Sequence, residues 1–195
     1  VAVGGMPENL ADHVTRIFLG TRIGCAQCHD HPFAAWKKSD FWGMAAFFQP
    51  QAVPTTAEAG TALAIANGLA LIQGNGTTYS PKFLGGELAK PQSGKSSREI
   101  LADWMTAPDN SLFAATIVNR TWQQMYGRGL ILAVDDLDQA DAKEKGRLLD
   151  DLARLFVRAK YDHRWLVQGI AKSRAYQLAA LAEEAGVPRG VLNVI

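Results

Sequence analysis

The two cysteines of this 195-residue chain stand three residues apart, at Cys25 and Cys28, and a histidine, His29, follows at once. A bridge across two intervening residues closes a tiny loop and removes little chain entropy. No disulfide can therefore tie distant parts of the chain together, and apolar packing has to hold the fold. The length suffices, since a chain of roughly 150 residues hides about two-thirds of its unfolded surface. Two cysteines scattered at random would fall at this spacing on the order of one time in a hundred, so the cluster reads as chemistry.

The order C-x-x-C-H suits covalent attachment of a c-type haem. Two thiols three residues apart reach both vinyl groups of one porphyrin edge, and the next residue, His29, meets the iron as axial ligand. The longer run to His31 also offers Cys25, Cys28, His29 and His31 as a tetrahedral zinc set, although His29 adjoins Cys28 and leaves little slack for four ligands to converge. A redox or structural C-x-x-C pair is the third reading. If haem is bound, Met44 is the candidate sixth ligand, and its competing role is a core methionine among Phe41, Trp42 and Phe47. Phe33, Trp36, Phe41 and Phe48 are candidates to line a dry pocket around it. Farther on, Asp135-Asp136-x-Asp138 has the look of a cation loop without the glycine and glutamate of an EF-hand, so a solvated loop with helix caps is the expectation there. No Ser/His/Asp set, P-loop or dinucleotide glycine pattern is visible, and no enzymatic activity is assigned beyond the cluster.

Apolar spacing makes the chain mainly α, as irregular helical domains with a short β-hairpin in the middle. Leu10, Val14, Ile17 and Phe18 predict a helix from Pro7 to about Gly24. Ser39 or Asp40 caps a second one carrying Phe41 to Phe48, ended near Pro50. Between Gln51 and Gly76 charge almost vanishes, and Asn67-Gly68 between two apolar runs signals a hairpin; Gly74-Asn75-Gly76 reads as loop. Ser96-x-x-Glu99 is a capping box that opens a helix with Ile100, Leu101 and Trp104. A longer helix follows with Val118, Trp122 and Tyr126, then a short extended piece over Ile131 to Val134. Lys143 to about Lys160 predicts an amphipathic helix with Leu148, Leu149, Leu152, Leu155 and Phe156 inward. Asp162 caps one more, with Trp165, Leu166, Ile170, Tyr176 and Leu178 inward.

A formal net charge of +1, with the basic residues scattered, gives no reason to expect nucleic acid. No apolar run is long enough to span a membrane. Val1-Ala2-Val3-Gly4-Gly5 reads like the middle of a longer chain, without a start methionine or an export signal of its own.

Arg16-x-Phe18-Leu19-Gly20, Cys25 to Phe33, Trp36 and Asp40-Phe41-x-Gly43-x-Ala45-Ala46-Phe47-Phe48 resemble the end of the planctomycete cytochrome-like domain. Pro81-x-Phe83-Leu84-Gly85-Gly86, Arg98-Glu99-x-Leu101-Ala102-x-Trp104, Val118-Asn119-Arg120-x-Trp122, Gly127-Arg128-Gly129-Leu130, Val134-Asp135-Asp136-Leu137 and Ser173 to Leu178 resemble the planctomycete-specific domain of unknown function that follows it. The resemblance covers about residues 10 to 178. It implies an exported protein, periplasmic or extracellular, in which Cys25 and Cys28 attach haem and His29 ligates iron. The last residues, Leu181 to Ile195, are similar to an aldehyde dehydrogenase segment but carry none of that family's catalytic residues.

The resulting expectation has four parts: 1–50 the end of a cytochrome-like domain, 51–80 a low-charge linker or hairpin, 81–180 the helical planctomycete-specific domain, and 181–195 an atypical tail. The expected function is a haem c electron-transfer or redox module that meets a redox partner protein. The alternative is a zinc- or disulfide-stapled helical scaffold that binds a partner or a surface polymer.

Overall fold

The computed structural model describes residues 6–49, 65–66, 69–139 and 147–186. Among them are seven α-helices: α1 (Pro7–Leu19), α2 (Lys38–Ala46), α3 (Ser97–Met105), α4 (Ser111–Tyr126), α5 (Arg147–Arg158), α6 (His163–Ala171) and α7 (Arg174–Glu184). Short strands β1 (Ile65–Ala66), β2 (Leu69–Ala70), β3 (Ile72–Gly74) and β4 (Thr77–Tyr79) form two antiparallel pairs, β1 with β2 and β3 with β4. The protein is thus mainly α with a small β element in the middle, as its patterning predicts.

The chain divides into two compact units, one of residues Val1–Phe113 with Asp135–Gln139, the other of Ala114–Val134 with Ala140–Ile195. In the first, one apolar cluster joins Ala11 and Leu19 of α1, Ile23 and Ala26, Phe41 to Phe48 around α2, Leu69 and Ile72 of the strands, Leu84, and Ile100, Leu101 and Met105 of α3. The stripe that α1 buries is Ala11, Thr15 and Leu19, one position on from the expected one; Ile17 and Phe18 stay partly exposed. Seven consecutive residues of α2, from Asp40 to Ala46, are buried, as are Phe47 and Phe48 just beyond it, which is why α2 shows no amphipathic period. Its cap differs from expectation. Lys37 is the N-cap and Asp40 lies in the first turn, where its carboxylate accepts from the Lys37 N–H (2.8 Å) and from Lys82 Nζ (2.6 Å).

The register of β1 and β2, Ile65 opposite Ala70 and Ala66 opposite Leu69, is the expected hairpin; its tip, 67–68, lies outside the described residues. The second pair is built around Gly74-Asn75-Gly76, expected to be loop. Asn75 (φ 51°) and Gly76 (φ 78°) connect β3 to β4, the two left-handed residues that a two-residue hairpin turn demands. The capping box of α3 closes as predicted. Glu99 N–H donates to Ser96 Oγ (3.3 Å), and Glu99 Oε2 accepts from Ser96 N–H (2.7 Å). The bonds that Oε2 accepts from Ser96 N–H and from the Ser96 hydroxyl, both at 2.7 Å, favour the charged form and hold the Glu99 carboxyl below its usual range.

In the second unit the buried apolar residues come from α4, α5 and α6 with Ile131. The expected extended piece at 131–134 contains no strand. Ile131 pairs instead with a side chain, donating its N–H to Asn119 Oδ1 and accepting from Asn119 Nδ2, both at 2.9 Å. The last predicted helix is two, because Ser173 caps α7 by accepting from Tyr176 N–H (3.2 Å). Trp165, Leu178, Leu148 and Leu155, all expected inward, are exposed.

Candidate functional site

Gly20 ends α1, and Leu19, Thr21, Ile23 and Ala26 then anchor the chain in the core of the first unit. Gly24–Gln27 form one turn of 3-10 helix with Cys28 at its end. Residues three apart eclipse in such a turn, which sets Cys25 and Cys28 on one side. Both thiols are exposed and unbridged, while Ala26 between them is fully buried. The carbonyl of Gln27 accepts two hydrogen bonds, from Trp42 Nε1 of α2 and from Asn75 Nδ2 at the tip of the second hairpin, both at 2.9 Å.

The two histidines that follow hold opposite tautomers. A carbonyl oxygen can only accept, so the 2.7 Å contact of His29 Nδ1 with the Asp30 carbonyl makes Nδ1 the donor and leaves the lone pair on Nε2. Asp30 is itself fixed, its Oδ1 accepting from Lys38 N–H (2.9 Å). His31 Nδ1 instead accepts from the backbone N–H groups of Phe33 (3.2 Å) and Ala34 (3.0 Å), so in the neutral ring its proton sits on Nε2. His31 N–H reaches the Trp36 carbonyl (2.8 Å), which folds the His31–Trp36 loop on itself.

A strap from far along the chain closes over this loop. Leu137 N–H donates to the Gly20 carbonyl (2.7 Å), and Trp36 Nε1 donates to Asp138 Oδ2 (2.8 Å). Asp138 thus supports the loop rather than a cation. Partial burial, and then the nearby charge of Asp138, push the Asp136 carboxyl above its ordinary range, against the opposing pull of Arg22 and His31. The folded state therefore disfavours the charged Asp136, a cost present at neutral pH and absent below the ordinary carboxylate range, where both states are protonated. Asp136→Asn is accordingly expected to raise the thermal midpoint at pH 7, with the gain fading as the pH falls through that range; melting curves across the pH series check this.

The other sequence candidates separate. Met44 is fully buried in the core of α2 while Cys25, Cys28 and His29 are at the surface. Phe41 and Phe48 belong to the core, and Phe33 stands 83% exposed, so these rings do not together line a pocket. His13 Nδ1 is bonded to the Asn9 carbonyl on its own helix (2.6 Å). His163 Nε2 donates to Thr121 Oγ1 (3.1 Å), whose proton goes to the Ile117 carbonyl (2.8 Å). Among the described residues no group of three or more His, Cys, Asp or Glu side chains is arranged to hold a metal ion, and no helix is long and apolar enough to cross a membrane. Asn75 and Trp42 are the site residues that pattern reasoning missed. The signal was available, since Asn75-Gly76 is the same hairpin dipeptide as Asn67-Gly68.

Residues 5–52 match the family model PSCyt2, described as a protein of unknown function (DUF1549), and residues 97–189 match PSD1, a protein of unknown function (DUF1553). The two-part resemblance drawn from the motifs therefore holds, in the order expected. Nothing supports the likeness of the tail to an aldehyde dehydrogenase, and the PSD1 match itself runs into that tail. Comparison with curated proteins and with solved structures finds no match.

Proposed function

We propose that the chain is the haem c-binding electron-transfer or redox module of a larger exported protein, with Cys25 and Cys28 as the attachment thiols and His29 as axial ligand. The observation that carries this is the hydrogen bond from His29 Nδ1 to the Asp30 carbonyl. Metal-ligating histidines characteristically donate their second ring N–H to a carbonyl or carboxylate, which fixes the tautomer and raises ligand basicity. Here that arrangement directly follows two exposed free thiols on one side of a helical turn. The donor set fits the group: two thiols that can form thioethers and one imidazole with its Nε2 lone pair free. Bound haem would supply one-electron exchange with a partner protein.

The tautomer of His31 weighs against the zinc alternative. A ligand bond from its Nε2 would move the ring proton to Nδ1, facing two backbone N–H donors that now point at it. Met44, enclosed in the core, serves packing rather than the second axial position. The exported location follows from the haem reading itself, through the compartment in which C-x-x-C-H motifs receive haem, and from what the resemblance drawn in the sequence implies.

The test is expression in a periplasm equipped for c-type maturation, followed by a denaturing pyridine haemochrome spectrum. The expected result is covalent haem in the unaltered chain and none in Cys25→Ala/Cys28→Ala. Colourless protein alongside a correctly matured control cytochrome would sink the proposal.

A further inference from the structure

Two donors from separate elements meet at the carbonyl of Gln27, the residue between Ala26 and Cys28. Trp42 is held by the core, and Asn75, itself exposed, is held by its turn. Trp42 is 6% exposed, edge-on to Phe41 (5.4 Å between ring centroids) and stacked on Tyr79 of β4 (6.2 Å). Asn75 sits in a left-handed turn whose two strands run from Ile72 to Tyr79 in register. The hairpin closes against the indole so tightly that a Cβ on Gly74 would stand 2.1 Å from the Trp42 ring.

We infer that Asn75 and Trp42 are positioning residues, which hold the Gln27 carbonyl and thereby keep the Cys25 and Cys28 thiols paired on one face before any group is attached. Peptide units are rigid, so fixing one carbonyl orients the plane that leads directly into Cys28. The 3-10 turn brings the thiols to the same side, and the two bonds stop that turn from unwinding. A preformed pair loses less freedom when both sulfurs engage one partner, and so binds it more tightly. The purpose assigned to this clamp, presenting both sulfurs to a porphyrin edge, rests on the haem reading; the clamp itself is measurable without haem.

The probe is phenylarsine oxide on the reduced 195-residue chain without haem. Two As–S bonds form, and the arsenic-bound oxygen leaves as water with the two thiol protons, so affinity reports how well the thiols are paired. Asn75→Gly removes the donor while suiting the left-handed turn, and Trp42→Phe removes the indole N–H while keeping a ring. The double variant is expected to bind the arsenical about tenfold more weakly, each single variant less so. Asn75→Asp, which keeps the turn preference without the donor, is expected to match Asn75→Gly. Should the double variant fail to fold, Asn75→Gly alone carries the comparison. Unchanged affinity in folded variants would overturn the inference. Weaker arsenical binding together with a chain that never takes haem would uphold the clamp and remove the haem reading; covalent haem with unchanged arsenical affinity would do the reverse.

Discussion

Asn119→Ala is expected to destabilise the second unit by about 3 kcal/mol, a large share of the roughly 5–15 kcal/mol that holds a domain together. Asn119 is fully buried, and its amide satisfies both backbone groups of Ile131, itself 1% exposed. Removing the amide leaves a buried N–H and a buried C=O without partners, and such orphaned groups cost about 1–3 kcal/mol each. Asn119→Asp separates shape from chemistry. It keeps the outline but offers two acceptor oxygens, one of them turned toward the Ile131 carbonyl. At neutral pH it is expected to be at least as damaging as alanine and to recover partly in acid, where a protonated carboxyl can donate again. Urea unfolding followed by tryptophan fluorescence, at two pH values, measures both. A loss below about 0.5 kcal/mol, the scale of an ordinary surface change, would refute this account of Asn119.

Gly74→Ala is expected to cost about 3 kcal/mol and to carry its damage to the thiol segment. The added methyl carbon would lie 2.1, 2.3 and 2.5 Å from three atoms of the Trp42 indole, well inside contact distance. Either the hairpin shifts or Trp42 does. If Trp42 moves, its bond to the Gln27 carbonyl is lost with it. Thermal melting reports the first consequence and arsenical affinity the second. A variant that melts early yet binds arsenical normally would show that the hairpin gives way first.

Local signals were legible where a residue's own chemistry decided the outcome. Ser96 and Glu99 cap α3, and Asp162 caps α6 through Trp165 N–H, both within a few residues of the signal. Signals failed where distant partners decided. Asp40 does bond the first turn of α2, through Lys37 N–H, but from inside the helix, and its second oxygen pairs with Lys82, 42 residues on. Asp138, in a stretch whose composition suggests a solvated loop, holds an indole 102 residues back. The cysteine cluster was visible at once, but the bonds that sort its histidines were not. Whether an imidazole nitrogen meets a carbonyl or an amide depends on backbone dihedrals that no residue type announces.

The strap formed by Asp135–Gln139 also sets a schedule. Leu137 and Asp138, which close over Gly20 and Trp36, are synthesised more than a hundred residues after Cys25, Cys28 and His29. At about 5–20 residues per second, the ribosome needs roughly 5–20 seconds to deliver them. For that interval the thiol segment is complete in sequence, but its flanks lack the partners they have in the fold. Both thiols stay exposed once the strap is in place, so what the delay postpones is the anchoring of Gly20 and Trp36 on either side of them.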